Sequence, residues 1–179
     1  MQRRIFIAIN IDDKAKNFIQ KKIQKWEESF PAKWVGKENF HITLMFLGYM
    51  DDQEIPNIAQ NLQEALAGIE IFDVILNEFK LGPDKNHPKM IWLSGEQNEN
   101  LIDLRHKVEE ALSEYAVEKK PFKPHVTLAR IPRKMLGQLP ELEKQKISAL
   151  VPIGSVEIME SRYENKERKY YVMESIQLS

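Results

Sequence analysis

His41-Ile42-Thr43-Leu44 and His125-Val126-Thr127-Leu128 repeat one pattern, polar then apolar twice over, in the two halves of a 179-residue chain. Successive side chains of a strand point to opposite faces, so each segment reads as a strand with His and Thr on one face and its apolar residues buried on the other. A fold for this chain must therefore bury both strands on one side only and leave two polar strips open. The surroundings of the motifs repeat as well. Arg3 to Ile11 alternates Ile5, Ile7, Ile9 and Ile11 with other residues, which predicts a first strand with one well-buried face. Asp12-Asp13 offers a helix cap, and Ala15, Phe18, Ile19, Ile23 and Trp26 recur at helical spacing until Pro31. Lys33 to Val35 is a short extended piece, and Phe40 to Tyr49 is the strand that carries the first motif. A second helix starts at Asp51-Asp52, carries Ile55, Ile58, Leu62, Ala65 and Leu66, and stops at Gly68.

From Ile69 the order returns. Ile69 to Lys80 is extended, Gly82-Pro83 and His87-Pro88 mark a loop, Met90 to Ser94 is a strand, and Leu101, Leu104, Val108 and Leu112 form a helical stripe. His125 to Arg130 is the strand of the second motif. A short helical region is expected from about Arg133 to Ala149, weakened by Gly137 and Pro140, and Gly154 to Tyr163 pairs with Lys169 to Leu178 as a hairpin turning at Glu164 to Glu167. No linker or low-complexity stretch interrupts this order, so residues 1–179 read as one domain with two related lobes.

Composition narrows the chemistry. The chain holds 26 Lys plus Arg against 27 Asp plus Glu, a net charge of -1, so no global field draws it to a polyanion, and any such ligand is held locally. It has no cysteine, which removes disulfides, thiolate nucleophiles and thiolate metal sites. Mean hydropathy is -0.47, and no apolar stretch approaches the roughly 20 residues of a membrane span. A cytoplasmic monomer without a membrane segment is expected. The only two threonines, Thr43 and Thr127, each stand two residues after one of four histidines. Random placement gives that arrangement roughly 4 times in 10,000, so chance is a poor explanation.

Two imidazoles near neutral pH, one neutral and one protonated, are what concerted general-base and general-acid catalysis needs, and each threonine hydroxyl can donate to an oxygen that gathers negative charge. A phosphodiester suits the four groups: one of His41 and His125 for the attacking water and the other for the leaving oxygen, with Thr43 and Thr127 for the non-bridging oxygens. A metal site is disfavoured, since neither histidine has an Asp or Glu beside it on its strand, and neither metal nor other cofactor is expected. Arg130, five residues after His125, completes the phosphate-binding candidates. It falls on the opposite face of a regular strand, so its contact requires the strand to end or bulge there. Lys33, Lys37, Lys119, Lys120, Lys123, Arg133 and Lys134 flank the motifs and could form a local basic rim. Phe40 and Phe46 have the wrong parity for the His41 face and read as core, while Tyr49 or Trp34 could stack a terminal base. His87 and His106 read as surface residues.

At these residues the sequence resembles the two-histidine phosphoesterase superfamily, and within it the bacterial and archaeal RNA 2',3'-cyclic phosphodiesterases, also called 2'-5' RNA ligases. Both His-x-Thr motifs with an apolar fourth residue are complete. The flanks Glu38-Asn39-Phe40, Met45-Phe46-Leu47-Gly48, Pro121-Phe122-Lys123-Pro124 and Ala129-Arg130 are similar too, as are Arg4 to Ile9, Ile91-Trp92-Leu93 and Tyr170 to Leu178. The resemblance implies a bilobal α+β fold: two pseudo-symmetric lobes, antiparallel sheets facing a central cleft, helices outside. It implies hydrolysis of an RNA-terminal 2',3'-cyclic phosphate to a 2'-phosphate without a metal, reversible as 2'-5' ligation. His125 then takes the proton of water, His41 protonates the departing 3' oxygen, and Thr43 and Thr127 hold the phosphate. The alternatives are a related phosphoesterase acting on cyclic-phosphate nucleotides and a non-catalytic RNA-binding module.

Overall fold

The structure is a computed structural model that describes residues 1–115, 121–135, 142, 145–165 and 167–179. Strand β1 (Gln2–Asn10) leads into helix α1 (Asp13–Ser29), whose start is fixed by the Asp12 carboxylate accepting from the Lys14 and Ala15 amides. Ala15, Ile19, Ile23 and Trp26 form its buried stripe; Phe18, expected among them, is exposed under the Lys22 ammonium. The short β2 (Lys33–Trp34) precedes β3 (His41–Asp51), and a 3-10 turn at Asp52–Glu54 opens α2 (Ile55–Ala65), with Pro56 in its first turn. Then come β4 (Phe72–Gly82), β5 (Met90–Gly95), α3 (Glu99–Ala111) capped by Asn98, and β6 (His125–Arg130). The chain closes with β7 (Ala149–Ile153), β8 (Ser155–Glu164) and β9 (Glu167–Gln177). Among the described residues no helix is long and apolar enough to cross a membrane.

Every strand pair is antiparallel, in the order β7-β4-β5-β6-β3-β1-β8-β9, with β2 beside β6. The two arrays implied by the resemblance are the halves of this one curled sheet, β3-β1-β8-β9 and β6-β5-β4-β7. Among the described residues they join through a single pair, Ile42 opposite Val126, so the two motif strands touch at the centre of their motifs. Ile19 and Ile23 of α1, Ile58 and Leu62 of α2, and Leu104 and Val108 of α3 pack into one cluster with Ile5, Ile7, Ile42, Leu44, Val126 and Leu128. That cluster covers one face of the sheet. The opposite face is left to the motifs, with a second, small cluster of Phe6, Ala8 and Met159 packed by Tyr170. The middle of β1 is consequently buried on both faces.

The stretch expected to be helical from Arg133 to Ala149 differs. A 3-10 turn spans Arg133–Met135, residues 136–141, 143 and 144 lie outside those described, and Ala149 begins β7. β7 alternates buried Ala149, Val151 and Ile153 with exposed Leu150 and Pro152 along β4. It is an edge strand, where a proline that cannot donate to a ladder is tolerated.

Both motif strands carry a bulge just after the threonine. In β3, Thr43 faces Ala8 and Met45 faces Ile7, which leaves Leu44 as an extra residue; a second shift at Leu47 follows, next to Gly48 at φ +84°. In β6, Thr127 faces Trp92 and Ala129 faces Ile91, which leaves Leu128 as the extra residue. Each bulge turns the residues beyond it over to the other face.

Candidate active site

His41 and His125 are the first residues of β3 and β6. Both are half-buried, as are Thr43 and Thr127, while Ile42, Leu44, Val126 and Leu128 are buried as the alternation requires. Because Ile42 pairs with Val126 on antiparallel strands, the register sets His41 across from Thr127 and Thr43 across from His125. All four groups therefore gather around one junction, on the face away from the helices.

Each imidazole is held in the same way. Nδ1–H of His41 donates to the Asn39 carbonyl at 2.7 Å, and Nδ1–H of His125 donates to the Lys123 carbonyl at 2.6 Å. A carbonyl only accepts, so Nδ1 carries the proton and Nε2 is left to take or give one. The walls differ. His41 packs in a triangle of rings with Phe6, at 5.2 Å, and Tyr170, edge-on at 4.7 Å, which themselves meet edge-on at 5.2 Å. His125 stacks on Trp92 at 3.8 Å; the buried indole N–H of Trp92 has no acceptor among the described residues.

Burial drives the His41 pKa down to about 4, and the charges of His125 and Lys16 push the same way against the Asn39 carbonyl. His125 is also lowered, by burial, with the Lys123 carbonyl opposing. Lys16 reaches this region from α1 with only 7% of its surface exposed, its ammonium donating to Asn10 Oδ1 at 2.8 Å; Asn10 pairs with His41 in the ladder. Among the described residues no three of His, Asp and Glu converge as a ligand set.

The bulge at Leu128 supplies the turn that Arg130 needs, placing it on the side of His125 and Thr127. It is exposed, its nearest polar contact is the Met90 thioether at 4.0 Å, and it has no carboxylate partner among the described residues. Phe46 stands at the equivalent place after His41. It is not core, as its parity suggested: the Leu44 bulge leaves it 62% exposed, with its ring 5.9 Å from Phe6. Phe40 is fully buried as expected. Of the two stacking candidates, Tyr49 is exposed, whereas Trp34 is tied into the fold by its indole N–H on the Phe30 carbonyl.

Lys33 lies across from Arg130 on β2, and Lys123, Arg133 and Lys134 are exposed nearby in sequence; Lys37 donates to Asn17, and Lys119 and Lys120 lie outside the described residues. His87 pairs with Asp84 at the surface, and His106 is exposed on α3. Sequence reasoning misses the walls. Phe6, Trp92 and Tyr170 carry no signal of their own beyond lying in apolar strands, although the Ile91-Trp92-Leu93 run and Tyr170 fall within the segments that resemble the family.

The sequence profile of the 2'-5' RNA ligase superfamily matches residues 12–162. The chain is 33% identical over 130 residues to an RNA 2',3'-cyclic phosphodiesterase of Thermotoga maritima, covering 72% of this chain and 70% of that protein. It is 31% identical over 157 residues to one of Bacillus subtilis, covering 82% and 81%. In fold it is similar to the crystal structure of a Thermus thermophilus protein, TT0787, with TM-score 0.84, 22% identity, and 98% and 97% of the two chains covered. It is also similar to Escherichia coli LigT in its apo form, with TM-score 0.77, 19% identity, and 99% and 98% covered.

Proposed function

The chain belongs to the 2'-5' RNA ligase superfamily, and on that footing we propose that it is an RNA 2',3'-cyclic phosphodiesterase that opens a terminal cyclic phosphate to a 2'-phosphate. The observation that carries this reading is the matched pair of imidazoles, each with Nδ1–H spent on a backbone carbonyl, around one strand junction. A binding module has no need of two such groups.

His125 Nε2 takes a proton from water as its oxygen bonds to phosphorus. The bond to the 3' oxygen breaks, and His41 Nε2–H gives that oxygen its proton. Thr43 and Thr127 donate to the non-bridging oxygens, and Arg130 adds charge on the His125 side. In the free protein burial keeps both imidazoles neutral at pH 7, so the phosphate matters twice: its negative charge raises both pKa values and brings a proton onto one of them. Chemical asymmetry supports the direction. The aromatic His41 side, with Phe6, Tyr170 and Phe46, suits the ribose and base, and the Arg130 side suits the anion and the incoming water. A 5'-hydroxyl in place of water would give a 2'-5' link by the same proton transfers.

Incubation with EDTA and an oligonucleotide ending in a 2',3'-cyclic phosphate tests the reading. A 2'-phosphate product, lost in His41→Ala and in His125→Ala, supports it; a 3'-phosphate product or no turnover overturns it.

A further inference from the structure

The two histidines obtain their walls by different routes. Trp92, the wall of His125, sits on β5, the strand next to β6, where the ladder itself holds it in place. Tyr170, the wall of His41, sits on β9, and β1 and β8 lie between β9 and β3 in the sheet. Nothing in the ladder between neighbouring strands brings Tyr170 over His41. The curl of this half does so, and β9 is an edge strand with one side of its backbone unpaired by any other strand among the described residues.

Asn39 closes that gap. Its side-chain Oδ1 accepts from the Tyr170 backbone N–H at 3.3 Å, across 131 residues of sequence, and its amide nitrogen contacts Glu38 Oε1 at 3.5 Å, which turns the oxygen toward β9. Its own carbonyl holds His41 Nδ1–H at 2.7 Å. One residue thus contacts both the imidazole and the strand that carries its wall, on the edge of β9 that its ladder with β8 leaves open. The corresponding residue before His125 is Lys123, which supplies the carbonyl at 2.6 Å from an exposed position and needs no tether, because Trp92 is already in register.

We propose that Asn39 is a positioning residue, whose side chain ties the free edge of β9 to the start of β3 and so seats the Tyr170 ring against the imidazole of His41. The proposal rests on the catalytic reading of His41 only for its effect on turnover. The groups that face His41 are His125 from β6, Lys16 from α1 and Tyr170 from β9, and only the last is moved by cutting the tether. With Asn39→Ala the ring swings away, water reaches the imidazole, and the reason for its low pKa weakens while the charges of His125 and Lys16 stay in place.

The test uses the full chain without substrate, then with it. NMR titration of the His41 ring gives its pKa, and the nuclear Overhauser effect between the Tyr170 and His41 rings gives their contact. Asn39→Ala loses the ring contact and raises the His41 pKa by about one pH unit or more, with His125 and His87 unmoved. Tyr170→Ala raises it likewise, and the double variant rises no further than Tyr170→Ala alone. Asn39→Asp, which keeps an acceptor oxygen for the Tyr170 amide, keeps the ring contact. Turnover of the cyclic-phosphate oligonucleotide falls on the order of tenfold to a hundredfold in Asn39→Ala and recovers in Asn39→Asp. Should Asn39→Ala not fold, Asn39→Ser, whose hydroxyl is too short to reach β9, is measured in the same way. Retention of the ring contact in Asn39→Ala, or separate and additive pKa changes from Asn39 and Tyr170, overturns the proposal. Since contact and pKa are read without substrate, absence of turnover in the wild-type chain would count against the catalytic reading and leave the tether standing.

Discussion

Replacing His41 by Asn removes a titration that burial couples to folding. In the native chain the imidazole titrates at about 4, against 6.5 when exposed. The folded state therefore binds this proton less readily than the unfolded one. Its contribution to stability is complete above pH 6.5 and is lost as pH falls toward 4. Taking about 1.4 kcal/mol per pH unit, the whole contribution is about 3 kcal/mol, and about 2 kcal/mol of it is gone at pH 5. Urea unfolding of wild type and His41→Asn at about pH 7.5 and about pH 5 measures it. Wild type loses about 2 kcal/mol more than the variant over that interval. Carboxylates held low by their partners, Glu160 beside Arg162 and Arg3, Asp52 beside Arg3, and Asp84 on the Asn86 amide, also lose their contributions in acid, but equally in both proteins. A stability difference between the two proteins that stays constant with pH would refute the burial argument for His41.

The same depression predicts the pH profile of catalysis. The kcat/KM profile of the free enzyme is a bell whose optimum lies on the acid side of 6.5, because both histidines titrate below their ordinary value, and the kcat profile lies at higher pH, where bound phosphate restores the proton; coincident profiles centred above about 7 would contradict this. Thr43→Ala and Thr127→Ala each slow the chemical step by about 2.7 to 4 kcal/mol if each hydroxyl stabilises one phosphate oxygen, and near-wild-type single-turnover rates would remove that role. Arg130→Ala raises KM about tenfold with kcat little changed and lowers the salt slope of binding by about one, which a KM series in increasing salt checks; an unaltered KM returns Arg130 to the surface.

Alternation along the two motif strands is enough to place His41, Thr43, His125 and Thr127 on one face and their neighbours in the core, because a period of two is the only one a strand allows. The same rule misplaces Phe46 and leaves Arg130 undecided, since one extra residue at Leu44 or Leu128 reverses parity without altering the pattern of residue types. β7 is hidden for a related reason. Five residues with a proline among them, at the end of a stretch holding another proline and a glycine, look like a broken helix until β4 is there to pair with them. Tyr170 becomes part of the site through the curl of the sheet, and Phe6 through the pairing of β1 with β3, neither of which a local window of sequence encodes. The helices are legible from their stripes, with Phe18 the exception, because a ring next to the stripe in sequence is one step around the helix and lies outside it.

Single-turnover opening of a 2',3'-cyclic-phosphate end by His41→Ala, by His125→Ala and by the double variant puts the central claim to its most direct test. Groups that act as one acid-base unit are lost together, so each single variant should be slowed by about a thousandfold or more and the double variant should be at most about threefold slower than the slower single one. If the two losses multiply, or if either single variant stays within about tenfold of wild type, the two His-x-Thr strands do not form one catalytic pair.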